Sequence, residues 1–256
     1  MKNDLANFSS SADVRPRTKR SWRSLTATTV VAATLFSGCS LFEDAPKEVS
    51  IEDAAANVEK ETSGATGATS DGAVGEWVID NETGEFDFES ATGTFAGFRV
   101  KEELASIGST TAVGRTGDVT GSITIGDKGL EAGTFTVDMT TITTDQKMRD
   151  SRVQSALETT QFPEATFEVT SPTAFDIGVE PDVTVKVEAP GTLTIHGVSK
   201  DVAFPLEAKL VGSTVVVVGS LDISLSDFGV TAPTAPAVLS VSDTATIEFN
   251  LLFKRA

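Results

Sequence analysis

The chain has 256 residues and is acidic, with 37 Asp and Glu against 20 Lys and Arg and a formal charge of −17. A surface of that sign repels nucleic acid and anionic headgroups, which argues against either as a partner through a basic patch. One His and one Cys exclude a multi-His metal centre and an internal disulfide, and no phosphate-binding Gly-rich loop is present.

In chain order, residues 1–38 have the layout of an export signal. Arg15, Arg17, Lys19, Arg20 and Arg23 precede an uncharged apolar run from Leu25 to Phe36, and Ser37, Gly38 and Cys39 follow. The run is about a dozen residues, too short for a hydrocarbon core that needs roughly 20. The segment Leu35-Phe36-Ser37-Gly38-Cys39 resembles the lipobox of bacterial lipoprotein signals, with Phe36 where Leu is usual. That resemblance implies cleavage before Cys39 and a diacylglyceryl anchor on its sulfur. The protein would then be exported and held on the extracytoplasmic face of the cell membrane. A plain secretory signal with Cys39 as a free thiol is the alternative.

Residues 39–75 are rich in Ala, Ser, Thr, Gly and Glu, and read as a flexible tether with a coil reach on the order of 35 Å. Within it Ile51, Ala54, Ala55 and Val58 fall at helical spacing, so a short helix from Ile51 to Glu61 competes with the solvated linker.

Residues 76–256 suit a single domain. Apolar and polar residues alternate through Phe135–Val137–Met139, Ala165–Phe167–Val169, Val183–Val185–Val187, Val202–Phe204–Leu206–Ala208–Leu210 and Ile247–Phe249–Leu251–Phe253. A period of two with one apolar face means antiparallel strands. Turn signals stand at Gly126-Asp127-Lys128-Gly129, Glu180-Pro181-Asp182 and Val211-Gly212-Ser213. The one clear helix is Asp145 to Glu158, with Thr144 as its cap and a thin stripe of Met148, Val153, Ala156 and Leu157. It should lie against or over a barrel end. The fold class is all-β, an eight-stranded antiparallel barrel with one short helix, preceded by the signal peptide and linker.

Strand parity places Phe98, Phe135, Val137, Phe167, Val169, Leu193, Phe204, Leu206 and Phe249 on the inward face, where they either line a cavity or fill a solid core. Val215 to Val218 make both faces of one strand apolar. Either that strand is covered outside, or Val216 and Val218 meet a second copy in a homodimer.

Several stretches together resemble the YceI-like family of extracytoplasmic lipid-binding proteins. They are Glu-Trp-Val-Ile-Asp at 76–80, Thr-Phe-Ala-Gly-Phe-Arg-Val at 94–100, the segment from Val137 to Asp150 with its Arg-Asp pair, Gln161 to Phe167, Gly191 to Lys200 and Leu225 to Val230. They keep the family order over about Glu76 to Ala256. The Pro-rich segment from Val230 to Val241 is longer than the family pattern. The resemblance implies a lipocalin-like barrel holding a long apolar chain, such as an isoprenoid quinone, a polyprenyl lipid or a fatty amide or acid. It implies no catalysis and no cofactor beyond such a ligand. Arg149 and Asp150 could orient a ligand headgroup or fix the helix to a loop. His196, at a strand end before Gly197, reads as a structural hydrogen-bonding group. The competing function is a non-catalytic surface domain with a filled barrel.

Overall fold

The computed structural model describes residues 45–62, 72–176 and 183–256. The expected leader (residues 1–38) and Cys39 lie outside them. The strands are β1 (Gly75–Ile79), β2 (Phe95–Leu104), β3 (Gly108–Thr116), β4 (Val119–Gly126), β5 (Gly129–Asp138), β6 (Thr143–Thr144), β7 (Glu164–Val169), β8 (Thr173–Ala174), β9 (Val185–Ile195), β10 (Val198–Val211), β11 (Thr214–Ser224) and β12 (Val238–Arg255). The helices are α1 (Ile51–Thr62) and α2 (Lys147–Ala156).

These strands make a closed barrel of eight staves, all antiparallel. β12 carries β2 along Val238 to Asn250 and β1 along Phe253 to Arg255, so β1 and β2 form one broken stave. β3 and β4 form the next, pairing with β2 and β1 respectively. β5 with β6, and β7 with β8, repeat the pattern. β9, β10, β11 and β12 are continuous, and β1 against β12 closes the ring. Closure removes the unpaired edges that an open sheet would expose.

The turns follow the sequence signals. Gly126 and Gly129 bracket the β4–β5 turn, and Gly212 carries φ of 59° between β10 and β11. Between β9 and β10, His196 and Gly197 both have positive φ (53° and 72°), the requirement of a two-residue hairpin turn that follows strand twist. The Glu180-Pro181-Asp182 signal falls outside the described residues.

Three expectations need correction. Of the two readings of Ile51 to Glu61, the helix stands and the solvated linker does not: the span 45–62 lies against the barrel. α1 places Ile51, Ala54, Ala55 and Val58 on Val211, Val216, Val218 and Leu252, each of the eight at most 6% exposed. The apolar outer face of β11 needed a cover, and the one apolar stripe in the tether supplies it. Ser50 caps this helix: its Oγ accepts from the Asp53 N–H at 3.1 Å and donates to the Asp53 carboxylate at 2.9 Å. The single expected helix is therefore one of two α-helices among the described residues.

The second correction concerns α2. It begins at Lys147 with Gln146 as N-cap, and Gln146 makes no capping bond with its side chain. Thr144 instead gives its N–H and hydroxyl to Asp150 Oδ1, at 2.8 and 2.6 Å. The third is Met148, expected on the apolar stripe but 79% exposed, while Val153 is buried.

Candidate functional site

The inward faces build two buried clusters stacked along the barrel. One contains Leu193, Ile195, Phe204, Ile223, Phe228 and Val230 and closes the end that carries the β9–β10 turn. The other contains Trp77, Val119, Ile123, Leu130, Val217, Leu251 and Phe253, toward the β4–β5 and β10–β11 turns. Inside the second lies a cavity of about 130 Å³. Every lining residue is apolar except Thr166.

Five phenylalanines run through this interior as one connected set. Ring centroids are 6.0 Å apart for Phe253 and Phe135, 6.4 Å for Phe135 and Phe167, 5.4 Å for Phe167 and Phe204, and 5.2 Å for Phe204 and Phe249. These separations fall in the range where aromatic pairs attract beyond their area burial. Three of the rings lie over a glycine of an adjacent strand. A Cβ on Gly191 would stand 2.3 Å from the Phe167 ring, on Gly219 2.5 Å from Phe249, and on Gly121 2.9 Å from Phe135. The missing side chains give the rings their room.

Phe135, Val137, Phe167, Val169, Phe204, Leu206 and Phe249 are on the cavity wall. Leu193 packs in the solid cluster at the other end, 5% exposed. Phe98 lies over Gly114, whose Cβ would stand 2.4 Å from the ring. Sequence reasoning left out Ile123, Ile125, Leu130, Phe175, Val215, Val217, Leu251 and Phe253, which also line the cavity. The alternation that found Phe249 contains Leu251 and Phe253 as well, so parity carried that signal.

The polar candidates sit outside this wall. Arg149 joins Asp145 at 2.5 Å and also Glu102 of β2, which ties α2 to the barrel. Asp150 holds Thr144, as described above. Both make the fixing contacts of a helix to its neighbours. His196 Nδ1 is 3.3 Å from the Phe228 carbonyl, and its ring meets Phe162 edge-on at 4.6 Å. Its Nε2 is 3.3 Å from the Glu158 carboxylate, but out of line for a hydrogen bond. The described residues hold no group of three His, Cys, Asp or Glu side chains able to share a metal ion.

On the outer face of β2, β3 and β12 lies a buried ionic cluster that sequence reasoning did not identify. Glu248 accepts from Arg99 Nε at 2.6 Å and from Arg115 Nε at 2.8 Å. Arg99 also donates to the Pro46 carbonyl at 2.5 Å. Arg115 donates to the carbonyls of Lys47 at 3.0 Å and Phe88 at 2.8 Å, and its guanidinium lies over the Phe95 ring at 4.7 Å. Burial pushes the Arg115 pKa below its ordinary value, and Glu248 opposes that shift. Each cation therefore clamps the N-terminal segment by backbone carbonyls while sharing one carboxylate. Nearby, Asp80 anchors the loop 80–94. Burial alone would raise its pKa, but the Thr83 hydroxyl and the N–H groups of Glu82 and Thr83, with Lys254 nearby, hold it below the usual carboxylate value.

A profile of the YceI-like domain matches residues 77–253. Among solved structures, a polyisoprenoid binding domain from Saccharophagus degradans, implicated in plant cell wall breakdown, superposes with a TM-score of 0.54 at 17% identity. It covers 72% of this chain and 100% of its own. Burkholderia cenocepacia BcnA gives 0.47 at 20% identity, covering 61% and 95%. The Campylobacter jejuni YCEI protein gives 0.47 at 22% identity, covering 56% and 84%. No curated protein matches the chain significantly. With the closed barrel, its apolar interior and a domain match over most of its length, the chain belongs to the YceI-like family.

Proposed function

We propose that this protein is a non-catalytic carrier for one long apolar chain, an isoprenoid quinone, a polyprenyl lipid or a fatty amide or acid. It would take up, hold or sequester that chain while tethered through Cys39 to the outer face of the cell membrane. The supporting observation is the cavity itself, a space inside the barrel whose only polar lining residue is Thr166. Such a wall offers burial to methylenes, at about 0.8 kcal/mol each, and little to a polar group. A dozen buried carbons would offset a substantial part of an association cost of roughly 4–15 kcal/mol. Selectivity among chains should be shallow, since one methylene discriminates by only about 1–3 kcal/mol. The Saccharophagus degradans domain with this fold is a polyisoprenoid binder, which agrees in ligand class.

The cavity of about 130 Å³ is smaller than the roughly 300–1,000 Å³ of established ligand pockets. A long chain therefore enters only by swinging the phenylalanine rings. That same volume favours the second reading, a surface domain whose barrel is filled. Organic extraction of the purified protein followed by mass spectrometry separates the two. A co-purifying polyprenyl or quinone species supports the carrier. Recovery of none, together with a melting temperature unmoved by added polyprenyl alcohol, supports the filled barrel. Mass spectrometry of the mature N-terminus tests the anchor independently: a diacylglyceryl group on Cys39 is expected, and an unmodified end would remove it.

A further inference from the structure

The barrel wall is not uniformly closed. β10 and β11 pair only from Val211↔Thr214 up to Leu206↔Gly219, and beyond that rung β10 pairs only with β9 and β11 only with β12. Pro205, the next residue of β10, has no N–H to offer across the gap. Toward the barrel end, Phe228 and Val230 lie in one buried cluster with Phe204 and Ile223 and fill the space between the strands. At the rung itself a groove of about 620 Å³ lies on the outside of the wall, bounded by Glu48 to Glu52, Lys186 to Glu188 and Pro205 to Glu207.

Val187, Leu206 and Phe249 line both this groove and the cavity. Gly219 thins the wall between the two spaces. A Cβ there would sit 2.5 Å from the Phe249 ring and 3.0 Å from Leu206 Cδ2, so those two groups occupy the place where a larger residue would have made a wall. Both can change rotamer without breaking a ladder hydrogen bond.

We propose that this groove is a lateral portal into the barrel, gated by Phe249 and Leu206, for an apolar chain whose head is uncharged or cationic. This rests on the carrier reading and adds a route and a head class. The rim carries Glu48, Glu52, Glu188 and Glu207 against Lys186, and Lys186 is bound to Glu207 at 2.6 Å. Glu248 at the base and Glu48 on the rim, 4.0 Å from Arg99 Nε, together balance Arg99 and Arg115, which leaves Glu52 and Glu188 as the surplus. The surplus carboxylates repel a phosphate head and attract an amine, and salt weakens both effects.

The test uses dibrominated C18 chains bearing an alcohol, amine or phosphate head. Uptake is followed by quenching of Trp77, which packs in the cluster around the cavity. At low salt the phosphate should enter at least tenfold more slowly than the alcohol, with the difference shrinking as salt rises. Ser220→Phe, at an exposed position on the groove, should slow uptake and release of the alcohol about tenfold each, leaving Kd within twofold, because a blocked passage changes both rates alike. Ser213→Phe, in the β10–β11 turn at the barrel end, should leave the rates unchanged. Slowing by Ser213→Phe without slowing by Ser220→Phe would place entry at the barrel end and overturn the portal, and equal rates for all three heads would overturn the head class. Binding with normal affinity but the wrong rate pattern sinks the portal alone. No uptake by the unaltered protein sinks the carrier reading and the portal together.

Discussion

The inner and outer faces of β12 are built to opposite rules. Inside, Phe249, Leu251 and Phe253 face a space lined by apolar residues with the single exception of Thr166. Outside, Glu248 and Asn250 are as deeply buried, yet three of their four side-chain polar atoms are spoken for: those of Glu248 by two arginines, and Asn250 Nδ2 by the Gly93 carbonyl at 2.7 Å, with Asn250 Oδ1 left without a partner among the described residues. The inner face can tolerate rearrangement because apolar contacts are non-directional. The outer face cannot, because a buried charge that loses its partner is costly. A barrel that must admit a ligand can afford slack inside only if something outside holds the staves, and the clamp on residues 46 and 47 is placed to do so.

The sharpest break of this contrast is Glu248→Gln. It leaves Arg99 and Arg115 facing each other in a buried site, and a loss of about 3–5 kcal/mol in urea unfolding is expected. A value near zero would mean that the cluster is wet in solution. Inside, Leu206→Ala next to the existing space should cost about 2–3 kcal/mol, the low end for large-to-small core changes, while raising probe uptake. The opposite change, Ala208→Leu, should lie within about 1 kcal/mol of the unaltered protein if the space is empty, and cost up to about 3 kcal/mol if the barrel is full. Uptake should fall in either case. Ser50→Ala removes only the cap of α1 and should cost about 1 kcal/mol.

The smallest effect is on acid stability. Asp80 has a folded-state pKa below its unfolded value, so the unfolded chain binds more protons in the acid range and stability rises with pH there. Its contribution is complete above the unfolded pKa of about 3.9 and is lost as pH falls through the folded value. Asp80→Asn should therefore show a shallower acid limb in stability measured from pH 5 downward, and an unchanged slope would rule out that linkage.

Much of the interior was legible because period-two alternation is a local signal. Phe167 and Phe204 could be placed inward from their own strands alone. Phe98 obeys the same parity but lies over Gly114, and parity does not say how far along the barrel the hollow reaches. The outer clamp was illegible for a different reason. Arg99, Arg115 and Glu248 sit at outward positions, which normally means water, and they meet only through registers between distant strands. The helix α1 stands between these cases. Its stripe from Ile51 to Val58 and the valines at 215–218 were both visible, and what the sequence did not show was that each was the other's cover. Pro205 inside the longest alternating run was a further unused sign, since proline in mid-strand marks a place where a ladder fails.

The clamp also sets a length. A tether starting at Cys39 was expected to give the barrel a 37-residue leash, yet the chain is fixed from Pro46 onward by Arg99 and Arg115. Seven peptide steps span at most about 25 Å at full extension, whatever path they take. With a lipid on Cys39 the protein would be moored and not drifting: its tilt against the bilayer would be restricted, and the face bearing Glu48 would be the one kept nearest the surface. Neutron reflectometry on a supported bilayer reads that posture directly, as a narrow protein layer for the moored barrel and a broad, diffuse one for a barrel on a long leash.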